Sequence, residues 1–218
     1  MKGISTIRYC TENAECIKAA GYDFVLRYYS LRTRLPEKIV TVNEIKAIRA
    51  AGLQLAICYE YGGDHSGYFT QSRGARDGNY AYQFAQQMHQ PPDSAIYFAV
   101  DYDPELPEIV SGIQDYFRGV LSGFNSSSHN QPLYQIGAYG SGVVCEWLRK
   151  NLPFVNFSWL AMPEKWNGRD TYDDWNIKQS KATEDLCGFK RYRDGLDGDY
   201  ETIESNTANF GQFTPTTD

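Results

Sequence analysis

Carboxylates follow the apolar runs of this 218-residue sequence repeatedly: Glu60 follows the run 53–59, Asp101 and Asp103 follow 95–100, and Asp197 and Asp199 sit in 195–200. Residues two apart on an extended strand share a face, so Asp101 and Asp103 are expected to point toward one site. Crowding carboxylates raises the proton affinity of at least one of them, through like charge and lost hydration. Glycosidic cleavage uses such a pair. One acid protonates the leaving oxygen, while a second carboxylate acts as base or nucleophile, or stabilises the oxocarbenium-like transition state. An isolated Asp-x-Asp-Pro also serves as a helix cap. The buried run that precedes it here, Ile96-Tyr97-Phe98-Ala99-Val100, favours the chemical reading.

Tyr139, Trp159 and Trp175 end or interrupt other apolar runs, and Gln179 lies close behind the last of them. Aromatic residues make up 15% of the chain, enough both to fill a core and to stack on sugar rings, so each of the three is a candidate for either role. Other chemistries lack their residues. His65, His89 and His129 have no metal-ligand spacing, and Gly140-Ser141-Gly142 reads as a strand-to-helix turn with Ser141 as N-cap rather than a nucleophile elbow. No phosphate loop is present, and no cofactor or metal is expected, although an oxygen-only cation site among the aspartates would need no histidine. Cys10, Cys16, Cys58, Cys145 and Cys187 are odd in number and form no Cys-x-x-Cys pair, which reads as buried or idle thiols.

The elements that must position these groups alternate. Strand-like runs at 3–9, 23–29, 53–59, 95–101 and 133–139 are separated by helical patterns, the first closing at Gly21 and the second opening on the capping box Thr41-Val42-Asn43-Glu44. Ile109, Ile113, Phe117, Val120 and Phe124 make one face of a later helix. Runs at 157–161, 174–178 and 195–200 supply three more strands, with little helical periodicity between them. The expectation is an α/β fold: a TIM-like (β/α) barrel in a single domain over 1–204 with an irregular, helix-poor back half. Residues 205–218 would form a tail, either strap or disordered. A parallel barrel gathers its functional groups at the C-terminal ends of the strands, where the carboxylates fall.

A net charge of −6 argues against a nucleic-acid surface, and no apolar run is long enough to span a membrane. The first residues enter a strand without an apolar signal region. Synthesis in the cytoplasm without a classical signal peptide is therefore expected.

Several segments in order, Gly3-Ile4-Ser5-Thr6, Phe24-Val25-Leu26-Arg27-Tyr28-Tyr29, Gly67-Tyr68-Phe69-Thr70, Tyr97-Phe98-Ala99-Val100-Asp101-Tyr102-Asp103, Gly137-Ala138-Tyr139-Gly140 and Ser158-Trp159-Leu160-Ala161, carry a family likeness. The chain resembles the bacterial glycoside-hydrolase-like barrel domains, themselves distantly similar to the family-25 lysozymes. That resemblance implies a peptidoglycan or related glycan substrate and, with it, action in the periplasm or cell wall of the producing or a target cell. Asp101 matches the first acidic residue of the lysozymes' strand-four motif, and Asp103 takes the place of the general-acid Glu. Ser5 stands where relatives often carry an Asp, Arg27 joins the substrate-binding candidates, and Asp197 and Asp199 match the acidic end of the last strand. Glu60 would supply an acid or a positioning group.

The leading expectation is a muramidase-type hydrolase with Asp103 or Glu60 as acid and Asp101 as partner carboxylate, an antibacterial effector among its settings. A dedicated immunity or inhibitor protein would follow from that setting. The alternatives are a silent glycan-binding barrel and, more weakly, a metal-assisted hydrolase.

Overall fold

In the computed structural model, which describes residues 1–192 and 198–215, eight strands close into a barrel in chain order. Strands β1 (Lys2–Thr6), β2 (Phe24–Tyr29), β3 (Gln54–Tyr59), β4 (Ala95–Ala99), β5 (Gln135–Gly140), β6 (Val155–Leu160) and β7 (Ile177–Ser180) are parallel. The connections carry α1 (Ala14–Ala19), α2 (Val42–Ala50), α3 (Gln71–Gln87), α4 (Leu106–Glu108) and α6 (Gly142–Asn151), with α4 running through a π-helical turn into α5 (Gln114–Ser128). After α6 no helix occurs among the described residues, which is the irregular back half that the weak periodicity implied.

The last strand is a correction. It lies at β8 (Tyr200–Ser205) rather than at 195–200, and it runs antiparallel to both β7 and β1. A parallel return normally needs a packed crossover helix, and the described part of the β7–β8 connection has none, so the chain reverses direction. Consequently β8 brings its N-terminal end, not its C-terminal end, to the mouth formed by the C-terminal ends of the other strands.

Strand periodicity sorts the side chains. Phe24, Leu26 and Tyr28 fill the barrel interior with Tyr97, Tyr139 and Trp159, while Val25 and Tyr29 pack outward against the helices. Glycine makes the outer layer tight: a Cβ on Gly119 of α5 would sit 2.1 Å from the Gln71 carbonyl oxygen of α3, so these helices meet backbone to backbone. Their contact buries Asp77 beneath the hydroxyls of Tyr59, Tyr68 and Tyr116, which donate to it at 3.3, 2.5 and 3.0 Å. Burial raises the Asp77 carboxyl, and the three donors oppose that rise. Tyr68 belongs to the connection after β3, so this network fixes the loop that carries Glu60.

One further feature departs from the sequence expectation, and a second takes one of the two forms expected of it. Cys16 of α1 and Cys187, in the connection before β8, form a disulfide with Cα atoms 5.9 Å apart, whereas Cys10, Cys58 and Cys145 are free and buried. Barrel closure brings together two residues 171 positions apart, a pairing that no local spacing reveals. Residues 206–215 form a strap. Phe210 is fully buried against Phe24, its carbonyl accepts from the Tyr97 hydroxyl at 2.6 Å, and Phe213 exchanges two backbone hydrogen bonds with Leu55.

Candidate active site at the barrel mouth

A cavity of about 260 Å³ opens at the barrel mouth. Its inner wall is aromatic: Tyr139 and Trp159 contact each other with ring centroids 4.5 Å apart, and Tyr28 faces the same space. Four carboxylates line it, Glu60 after β3, Asp101 after β4, and Asp199 and Glu201 at the start of β8. In an eight-strand barrel closed in chain order, β4 and β8 are opposite staves, so Asp101 and Glu201 line the cavity from opposite sides of the barrel.

Each carboxylate has a distinct environment. Asp101 is reached by solvent through the open cavity, yet the protein packed around it excludes much of its hydration. That desolvation, followed by the Glu60 charge, raises its carboxyl to about 6; Lys38 pulls the other way, and Asp64 adds to the rise. The Asp101 backbone N–H is held by the Gly63 carbonyl at 2.8 Å. Gly63 has φ +102°, and a Cβ there would meet the Ala99 oxygen at 2.8 Å, so this close approach requires glycine.

Glu60 is ion-paired with Lys38 at 2.5 Å, and the ammonium also lies 4.9 Å from the Tyr28 ring centroid. Glu201 accepts from the Ser5 hydroxyl at 2.7 Å. Asp199 is a rim group: one oxygen takes Arg8 Nε at 2.8 Å and the other takes the Lys190 N–H at 2.8 Å. Gln179 accepts at Oε1 from the Tyr139 hydroxyl and the Met162 N–H, both at 3.1 Å, which locks the β5, β6 and β7 ends together.

The structure brings Glu60, Asp101, Asp199, Tyr139, Trp159 and Gln179 together at the cavity, and Ser5 reaches it through Glu201. Three expectations are corrected. Asp103 does not line the cavity with Asp101: β4 ends at Ala99, strand alternation stops there, and both Asp103 oxygens accept from the Asn167 N–H at 3.0 Å. Arg27 is fully buried on the outer face of β2, where it pairs with Glu44 of α2 at 2.6 Å and donates to the Thr6 and Glu37 carbonyls. With Phe24, Leu26 and Tyr28 facing inward, the residue between the last two must face the helices. Trp175 precedes β7 and packs outside the barrel with Cys145, Leu160 and Tyr172, with Lys178 over its ring at 5.7 Å. Asp197 lies outside the described residues.

Glu201 and Lys38 went unread in the sequence. Glu201 would have emerged from placing β8 at Tyr200, since the alternation of Glu201 and Ile203 puts both on the interior face. Lys38 sits in a short 3-10 turn at Pro36–Lys38 and has no periodic signal at all.

Among known proteins, YbfG of Bacillus subtilis (strain 168), itself uncharacterized, is 34% identical over 140 residues, covering 62% of this chain and 19% of its own length. The chain thus spans about a fifth of that curated relative. The Tat-secreted protein Rv2525c of Mycobacterium tuberculosis, solved with L-tartrate, superposes with a TM-score of 0.75 at 18% identity over 97% of this chain and 98% of that one. GHIP, a glycosyl hydrolase 25 of Streptococcus pneumoniae, superposes with a TM-score of 0.60 at 12% identity over 95% and 88% of the two chains. These likenesses establish the barrel fold. A family model described as an Rv2525c-like, glycoside hydrolase-like domain matches residues 15–214, nearly the full length and most of the mouth, and this chain belongs to that family.

Proposed function

We propose that this domain hydrolyses a glycosidic bond in peptidoglycan or a related cell-wall glycan, with Asp101 as proton donor and Glu201 as the carboxylate on the opposite stave. The observation that carries the reading is the cavity itself, where carboxylates on opposite staves flank a space walled by Tyr28, Tyr139 and Trp159. The roles differ from the sequence expectation because Asp103 is engaged with Asn167 and Asp101 is the acid whose proton is held to about 6. Asp101 gives its proton to the leaving glycosidic oxygen as the C–O bond breaks. Glu201, oriented by Ser5, stabilises the positive charge that develops on the sugar or takes a proton from the attacking water. Glu60 acts through Asp101, raising its proton affinity by like charge, and Lys38 limits that effect.

The test is release of new reducing ends from purified peptidoglycan. The wild type is expected to produce them and Asp101→Asn to lose about 100-fold or more, the scale of a lost general acid. Asp103→Asn, which keeps an oxygen for Asn167, is expected to stay within a few-fold. Full activity in Asp101→Asn would overturn the assignment.

A second reading, a glycan-binding barrel without turnover, is favoured by the engagement of Asp103 away from the cavity and by Ser5 at the end of β1. Binding without reducing-end release, unchanged by Asp101→Asn, would select it. Metal-assisted hydrolysis finds no group of three or more His, Cys, Asp or Glu side chains arranged to hold an ion among the described residues. The Cys16–Cys187 disulfide supports action outside a reducing cytosol. A delivered antibacterial toxin with a dedicated inhibitor draws no support from the relatives, and the proposal stops at glycan hydrolysis.

A further inference from the structure

Beside the mouth lies a second groove of about 600 Å³, bounded by the segment after β6 and the residues that end β7. Its size is that of small-ligand sites, roughly 300–1,000 Å³. The two spaces adjoin: the Met162 N–H in the groove wall donates to Gln179 Oε1, which belongs to the mouth, and Ser180 of the groove is the next residue along the chain.

The groove's charge is opposite to that of the mouth. In a chain of net charge −6, Lys165, Arg169 and Lys181 line it, with Glu164 as the one acidic lining residue among those described. The Arg169 side chain is only 11% exposed, and its Nε is oriented by the Met162 carbonyl at 3.3 Å. Among the described residues its one carboxylate partner, Asp170, is 84% exposed and 3.9 Å away, a contact that solvent makes weak. A guanidinium so enclosed and so loosely paired presents a planar fork matched to a carboxylate. Lys181 is held over the Tyr192 ring at 4.7 Å. Trp166, half-buried against the barrel interior, adds a flat apolar face in the same groove.

We propose that this groove is a second glycan site that takes a carboxylate-bearing sugar unit, its carboxylate between Arg169 and Lys181 and its ring against Trp166. The inference rests on the mouth being a glycan site, since the adjoining spaces would then hold successive parts of one chain. It supplies the anionic character of the substrate, which the acidic mouth alone disfavours.

The experiment titrates ¹⁵N-labelled Asp101→Asn protein, following the Trp166 indole N–H, which Trp166→Phe identifies. The probes are a tetrasaccharide of alternating N-acetylglucosamine and N-acetylmuramic acid and the neutral tetramer of N-acetylglucosamine, which lacks the lactyl carboxylate. The acidic probe is expected to move the Trp166 signal and to bind about tenfold tighter, with the advantage shrinking as salt rises. Arg169→Gln and, separately, the exposed Lys181→Gln are expected to abolish that advantage and leave the neutral probe unaffected. Equal affinity for the two probes, or an advantage that survives both substitutions, would overturn the inference. Because binding is read without turnover, a failure of hydrolysis at the mouth leaves this result intact and separately legible.

Discussion

Replacing Asp101 by Asn should stabilise the protein at neutral pH while removing its activity. The carboxyl is raised from 3.8 to about 6 by desolvation and by Glu60, so the folded chain holds this proton to higher pH than the unfolded chain does. Its stabilising contribution is therefore complete below about pH 4 and is lost as pH rises through about 6. A rise of this size corresponds to about 3 kcal/mol between protonation states, and the open cavity screens the charge enough to leave about 1 kcal/mol. For a domain of this length that is roughly 2–4 °C in Tm. Thermal unfolding of wild type and Asp101→Asn across pH 4 to 8 reads it directly. The two melting temperatures should coincide at the acid end and separate in favour of the variant above pH 6. A constant difference at all pH values, or a variant less stable at pH 8, would refute the argument that the mouth disfavours the ionised form.

Three further outcomes follow from the packing. Arg27→Leu leaves Glu44 buried without its partner and should cost about 3–5 kcal/mol in urea unfolding, with Arg27→Leu/Glu44→Leu recovering much of it; a neutral single variant would contradict the buried-pair reading. Cys187→Ser, or reduction, should lower stability by about 2–4 kcal/mol, and an unchanged denaturation midpoint with and without reductant would show that the link does not constrain the fold. Ser5→Ala removes a hydrogen bond to a carboxylate, worth about 1.5–3 kcal/mol, and should lower Tm and, measured well below that Tm, lower kcat/KM by at least about tenfold; undiminished turnover would separate Glu201 from the chemistry.

The barrel was legible because its front half is written in clear periods. Strands 53–59 and 95–101 end within two residues of the observed β3 and β4, and the capping box at Thr41 is the observed start of α2, with the Thr41 hydroxyl accepting from Glu44 N–H. The Glu44 carboxylate departs from that reading: it turns to Arg27 and Cys10 rather than back to the cap. Glu60, Asp101, Tyr139, Trp159 and Gln179 line the mouth cavity, where they fall at or within two residues of a strand's C-terminal end, a position legible from the apolar runs alone. Arg27 was misplaced by ignoring strand phase. Asp103 was misplaced by extending it beyond the strand's end, where the backbone no longer alternates. Glu201 was missed because β8 reverses direction, and direction is decided by what packs between strands rather than by the strand's own residues. The disulfide and the Phe210 strap depend on contacts more than a hundred residues apart, which local pattern does not encode.

The central claim, that Asp101 delivers the proton across the mouth from Glu201, is tested most directly by the pH dependence of glycan cleavage. The rate should fall as pH rises through about 6, where Asp101 loses its proton. Lys38→Met removes the cation that holds that carboxyl down, and should move the falling limb to higher pH. A falling limb that stays in place in Lys38→Met, or cleavage that persists undiminished well above pH 6, would contradict the account.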